Sequence, residues 1–117
     1  MSENSSVLDK LQVPIEVKKA LRAFLTRVGE VLGRDVEIYL FGSFARGDWL
    51  KDSDLDLIVV STKFRGLDLG KRYALVRNLL SFRVSVEMLL YTPEEFEEAR
   101  KRSIVLKDAE EYWVKLR

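Results

Sequence analysis

Along the chain, Val17, Leu21, Phe24, Leu25, Val28, Val31 and Leu32 recur at three- and four-residue intervals, the spacing that lines one face of a helix. Pro14 sits in the expected first turn, and Gly33 is placed to end the helix. The pattern then changes period. Val36 to Phe41 (VEIYLF) is short, apolar and β-favouring, and Asp54 to Val60 (DLDLIVV) alternates before turning continuously apolar, as a central strand does. Leu67 to Ser81 predicts a second long helix, with Asp68 as N-cap and Tyr73, Leu75, Val76, Leu79 and Leu80 available for the core. Val84 to Tyr91 (VSVEMLLY) reads as a third strand. Thr92, Pro93 and Glu95 form a capping box with proline at the first helical position, opening a helix that runs to about Arg102. From Ser103 the pattern predicts another helical turn or two, then a short strand around Tyr112 to Leu116.

Strands interleaved with helices predict one α/β domain over residues 1–117, a small mixed sheet of three to four strands flanked by helices. The polar residues 1–12 are expected to be frayed. Hydrophobic residues make up 47% of the 117, enough for a sizeable core.

Composition narrows the chemistry. There is no cysteine and no histidine, so thiolate zinc sites, disulfides, thiol nucleophiles and histidine acid–base catalysis are excluded. A metal here must be a hard cation on oxygen ligands. The net charge of +1 gives no bulk electrostatic case for nucleic acid or an anionic membrane. The opening MSENSSVLDK has neither a basic stretch nor an apolar core, and the expectation is a cytoplasmic protein without a membrane span.

Gly42 and Gly47 bracket four residues, as in a phosphate-binding loop, but Asp48 and Trp49 stand where that loop requires Lys and Ser or Thr. Gly42 still allows a sharp turn and close approach to a ligand. Ser43 can open a helical turn, and Ser43 and Arg46 would add donors for phosphate oxygens. Downstream, Asp54 and Asp56 alternate with Leu55 and Leu57, so both carboxylates project to one face, about 7 Å apart. Two carboxylates at the edge of an apolar strand repel each other unless a cation lies between them; a solvated strand end is the alternative reading. Asp52, Asp54 and Asp56 mimic the start of a calcium loop, but Leu57 replaces the required glycine and Lys63 the bidentate glutamate. Glu87 interrupts the third strand. It would meet the aspartates if the two strands are neighbours, or face solvent on an edge strand. The turn and the aspartates come together only if their two strands run antiparallel.

Gly42-Ser43, ten intervening residues and Asp54-Leu55-Asp56-Leu57, followed by VEMLLYTPEEF, resemble the signature of the DNA polymerase β-like nucleotidyltransferase superfamily, in particular its minimal members from archaea and bacteria. The similarity spans roughly residues 14–113. It implies the nucleotidyltransferase fold and magnesium-dependent transfer of a nucleoside monophosphate, AMP from ATP or another NTP, with release of pyrophosphate. Gly42 and Ser43 would grip the β- and γ-phosphates, with Arg46 a further contact. Asp54 and Asp56 would hold two magnesium ions. Glu87 stands where the family commonly has Asp, and would bind the catalytic metal and help deprotonate the attacking hydroxyl.

Little chain remains for an acceptor site, so the acceptor surface is expected from a second subunit, a partner protein or a shallow cleft. The resemblance extends to the antitoxin half of pairs whose other half is a HEPN-domain ribonuclease toxin, which implies AMP transfer onto a toxin tyrosine. A non-catalytic NTP-binding antitoxin that sequesters its toxin is the alternative. Trp49, Phe64, Tyr112 and Trp113 are candidates for a partner surface, with closure of the core the competing reading for Trp113. The basic run Arg100, Lys101 and Arg102 reads as a solvated helix face rather than a nucleic-acid site.

Overall fold

The computed structural model describes residues 3–81 and 83–117. Its elements run α1 (Glu3–Lys10), α2 (Ile15–Leu32), β1 (Glu37–Phe41), α3 (Gly42–Arg46), β2 (Leu55–Val60), a 3-10 turn (Thr62–Phe64), α4 (Leu69–Arg77), β3 (Val86–Tyr91), α5 (Pro93–Arg102), α6 (Ile104–Glu110) and β4 (Val114–Lys115). The four strands form one mixed sheet in the order β3-β2-β1-β4. β1 pairs antiparallel with both β2 and β4, while β2 and β3 are parallel. The parallel pair requires a crossover, which the 3-10 turn and α4 provide.

Alternation along the strands divides the core between two faces of the sheet. Ile38, Leu40, Leu55, Leu57 and Val59 pack with α1, α2 and α4. Tyr39, Ile58 and Val60 pack with Phe96 of α5 and Leu106 of α6. Asp56 and Glu87 belong by alternation to this second face, at the N-terminal ends of their strands.

Local signals were obeyed where backbone groups needed partners. Thr92 and Glu95 make the reciprocal capping box, and Asp68 caps α4 by accepting from the Lys71 N–H. Gly33 ends α2 at φ 95°. Several expectations need correction. Residues 3–10 form a helix instead of fraying, because Leu8 is buried against the core and Arg22 of α2 pairs with Asp9 at 2.8 Å; residues 1 and 2 lie outside the described residues. Pro14 is the residue before α2 rather than within its first turn. The α4 helix stops at Arg77, and it buries Arg72 while leaving Tyr73 exposed. Arg72 reaches the Leu67 and Leu90 carbonyls at 2.9 and 3.1 Å and the Glu95 carboxylate at 2.6 Å. It thereby ties α4 to the start of α5 beyond the end of β3. Among the described residues, no helix is long and apolar enough to cross a membrane.

Two of the aromatic surface candidates are structural. Phe64 is fully buried. Trp113 closes the second core, its ring 4.7 Å from Tyr39 and 5.9 Å from Phe96. Trp49 stacks on Phe44 and donates to the Gln12 carbonyl at 2.9 Å. The basic run is engaged with neighbours on its own surface: Arg100 pairs with Glu110 and Glu97, and Arg102 with Glu98.

Candidate active site

The site begins where β1 turns into α3. Gly42 takes φ 73°, a conformation most side chains avoid, and is buried. The five-residue helix ends at Gly47, whose N–H donates to the Ser43 carbonyl at 2.9 Å. The β1–β2 register sets Phe41 opposite Asp56, so the turn and the aspartate share one end of an antiparallel pair, as the sequence requires. The contact is intimate: a side chain at Gly42 would collide with the Asp56 carboxylate.

β3 lies beside β2 with Asp56 and Glu87 in register. Asp56 is half-buried, and its pKa is pushed up to about 6, first by burial, then by a hydrogen bond shared with Glu87 and by the Glu87 and Asp54 charges. Arg46 partly opposes this. The structure thus brings together Gly42, Ser43, Arg46 and Asp56, with Glu87 at Asp56's side and Asp54 one residue before β2 begins.

The expected three-carboxylate ligand set is not drawn tight. Among the described residues, no group of three or more Asp, Glu, His or Cys side chains comes together closely enough to hold a metal. Glu87 is exposed on the edge strand β3. The donor chemistry nevertheless fits a hard divalent cation: a half-buried carboxylate, crowded by two others, holds an unfavourable charge that such an ion would relieve.

Sequence reasoning gave Tyr112 no role at the loop. Its hydroxyl accepts from the Gly42 N–H at 3.2 Å and from the Arg46 Nη1 at 3.1 Å, while the Arg46 guanidinium lies over its ring. Arg46 also pairs with Asp48 at 3.1 Å. The only sequence signal was a tyrosine beside Trp113; what aims it is the pairing of β4 with β1 and the burial of Trp113. Loop and α6 enclose a cleft of about 540 Å³, lined on one side by Gly42, Ser43, Arg46 and Asp56 and on the other by Ile104, Val105, Asp108 and Tyr112. That size is within the range of small-ligand sites.

A glycine-serine turn set against strand carboxylates in a mixed α/β sheet defines a class. The nucleotidyltransferase domain family matches residues 17–112, and the chain belongs to that family. A protein of Methanocaldococcus jannaschii, named "Putative protein adenylyltransferase", is 41% identical over 44 residues, 37% of this chain and 44% of that protein. The matched stretch thus spans less than half the length of that relative. A solved structure from Sulfolobus solfataricus, titled a "putative nucleotidyltransferase", shares the fold with a TM-score of 0.59 and 22% identity, over 84% of this chain and 81% of that one.

Proposed function

We propose that this chain transfers a nucleoside monophosphate, AMP from ATP, onto a hydroxyl of a protein partner. The observation that carries this reading is the seating of Asp56 against Gly42 in one open cleft, with Ser43 and Arg46 lining the same space. Gly42, Ser43 and Arg46 hold the β- and γ-phosphates. The acceptor oxygen attacks the α-phosphorus, forming a new O–P bond as the bond to the bridging oxygen breaks and pyrophosphate departs. Glu87, exposed on β3 beside Asp56, takes the acceptor proton. Asp54, Asp56 and Glu87 would hold two magnesium ions, which lower the pKa of an attacking hydroxyl and neutralise a leaving pyrophosphate.

A protein acceptor is supported by the name of the M. jannaschii relative, and a HEPN-domain toxin by the resemblance of the signature to antitoxins of such pairs. A cytoplasmic setting follows from that role. Glu87, standing where the family commonly has Asp, favours a second reading, an NTP-binding antitoxin that acts by sequestering its partner. The test is incubation with magnesium and α-labelled ATP, with and without a co-encoded HEPN protein. Label on the partner that disappears with Asp56→Asn supports transfer. An unlabelled partner that still binds in the presence of ATP supports sequestration.

A further inference from the structure

The reaction proposed above uses one wall of the cleft, the loop and Asp56, and leaves the α6 wall without a task. Leu106 and Ala109 turn inward and are buried, whereas Ile104 and Val105 are 84% and 56% exposed. Both line the cleft with Asp108 and Tyr112. Ile104 and Asp108, four residues apart, share one side of α6 and stand about 6 Å apart along it; Tyr112 lies in the turn that follows the helix. Tyr112 marks the loop end, since its hydroxyl touches Gly42 and Arg46. Outward from the loop, the wall therefore presents a hydroxyl, a carboxylate and an apolar pair.

A nucleotide whose phosphates lie on the loop presents its parts in the same order: phosphate, sugar diol, base. The Asp108 carboxylate makes no hydrogen bond or ion pair among the described residues. It repels phosphate but accepts readily from hydroxyl groups. Ile104 and Val105 offer no donor or acceptor, only an apolar surface for the face of a heteroaromatic ring.

We propose that α6 is the nucleoside-binding wall of the site: Asp108 accepts from the ribose 2′- and 3′-hydroxyls, and Ile104 with Val105 carries the base. This rests on the nucleotidyl-transfer reading and specifies its donor. The sugar is read closely, because a charged acceptor loses a hydrogen bond when the 2′-hydroxyl is missing. The base is read weakly, because aliphatic contacts do not distinguish ring edges.

The test is calorimetric titration of the full chain, in magnesium, with ATP, 2′-deoxy-ATP and inorganic tripolyphosphate. The variants are Asp108→Ala and the double variant Ile104→Ser with Val105→Ser, each checked for an unchanged thermal transition. ATP is expected to bind about tenfold more tightly than 2′-deoxy-ATP. Asp108→Ala should erase that difference. The double variant should weaken both nucleotides about tenfold, and neither variant should change tripolyphosphate binding. If ATP binds no better than tripolyphosphate, or the variants bind ATP as the parent does, the nucleoside wall is wrong and the phosphate loop stands. If the double variant keeps its nucleotide affinity but no longer labels a protein acceptor, the wall belongs to the acceptor and the proposal fails. If neither ATP nor tripolyphosphate binds, the transfer reading itself falls and the wall with it.

Discussion

The Asp56 carboxylate lies directly against the α-carbon of Gly42: a β-carbon built there would stand 2.8 Å from the Asp56 Cγ and closer still to one of its oxygens. The Gly42 turn and the Asp56 strand are therefore packed too closely for a side chain to come between them. Gly42→Ala should both strain the backbone at φ 73° and displace Asp56. The expected result is a stability loss of about 1–3 kcal/mol together with loss of magnesium–ATP binding, read by thermal denaturation and calorimetry. An alanine variant that binds ATP normally would show that the contact has no role in the site.

Asp56→Asn separates stability from function. The native carboxylate is half-buried and crowded by Glu87 and Asp54, so removing its charge relieves repulsion. Without divalent cations, the variant should melt a few degrees above the parent, the shift expected for about 1 kcal/mol in a small domain. Magnesium should raise the parent's melting temperature more than the variant's, and nucleotidyl transfer should be abolished. Equal melting temperatures in chelator would contradict the crowding.

Tyr112 occupies donors that phosphate oxygens would also use. Tyr112→Phe removes the acceptor for Gly42 and Arg46 and should cost about 1 kcal/mol of stability. Magnesium–ATP affinity should not fall, because phosphate takes over both donors on binding. A tenfold loss of affinity measured by calorimetry would instead make the hydroxyl part of the ligand's own cradle.

Arg72 and Glu95 carry a pH dependence remote from the site. Hydrogen bonds from Arg72 and the Thr92 backbone hold the Glu95 carboxyl below its ordinary pKa. Because the folded value lies below the unfolded one, the interaction contributes stability above the ordinary glutamate range. That contribution is lost as pH falls through the folded value. Glu95→Gln keeps a capping amide for Thr92 but has no charge, so its urea midpoint should fall less than the parent's between pH 7 and pH 3. Arg72 is itself buried, and Arg72→Met should cost about 1–3 kcal/mol at neutral pH, because the Leu67 and Leu90 carbonyls lose their donor. Parallel pH profiles for the parent and Glu95→Gln would refute the assignment.

Legible from residue pattern alone were the succession of strands and long helices, the α5 capping box and the pairing of a glycine-serine turn with an Asp-Leu-Asp strand. These follow from local rules: periodicity, capping chemistry, and the antiparallel geometry a short connection demands. The pattern left open that Leu8 anchors a first helix, that Arg72 rather than Tyr73 faces inward, and that Phe64 is core. Each depends on what packs opposite, and one apolar residue in a polar segment does not announce a partner. Glu87 shows the division most clearly. Its place beside Asp56 was legible as one of two options, but only the parallel β2–β3 register chose it, and the same topology left it exposed on an edge strand. The α6 wall was not legible at all. Ile104 and Val105 read as ordinary helix residues until the pairing of β4 with β1 and the burial of Trp113 laid that helix across the cleft, because side chains more than fifty residues from the loop meet it only through the tertiary fold.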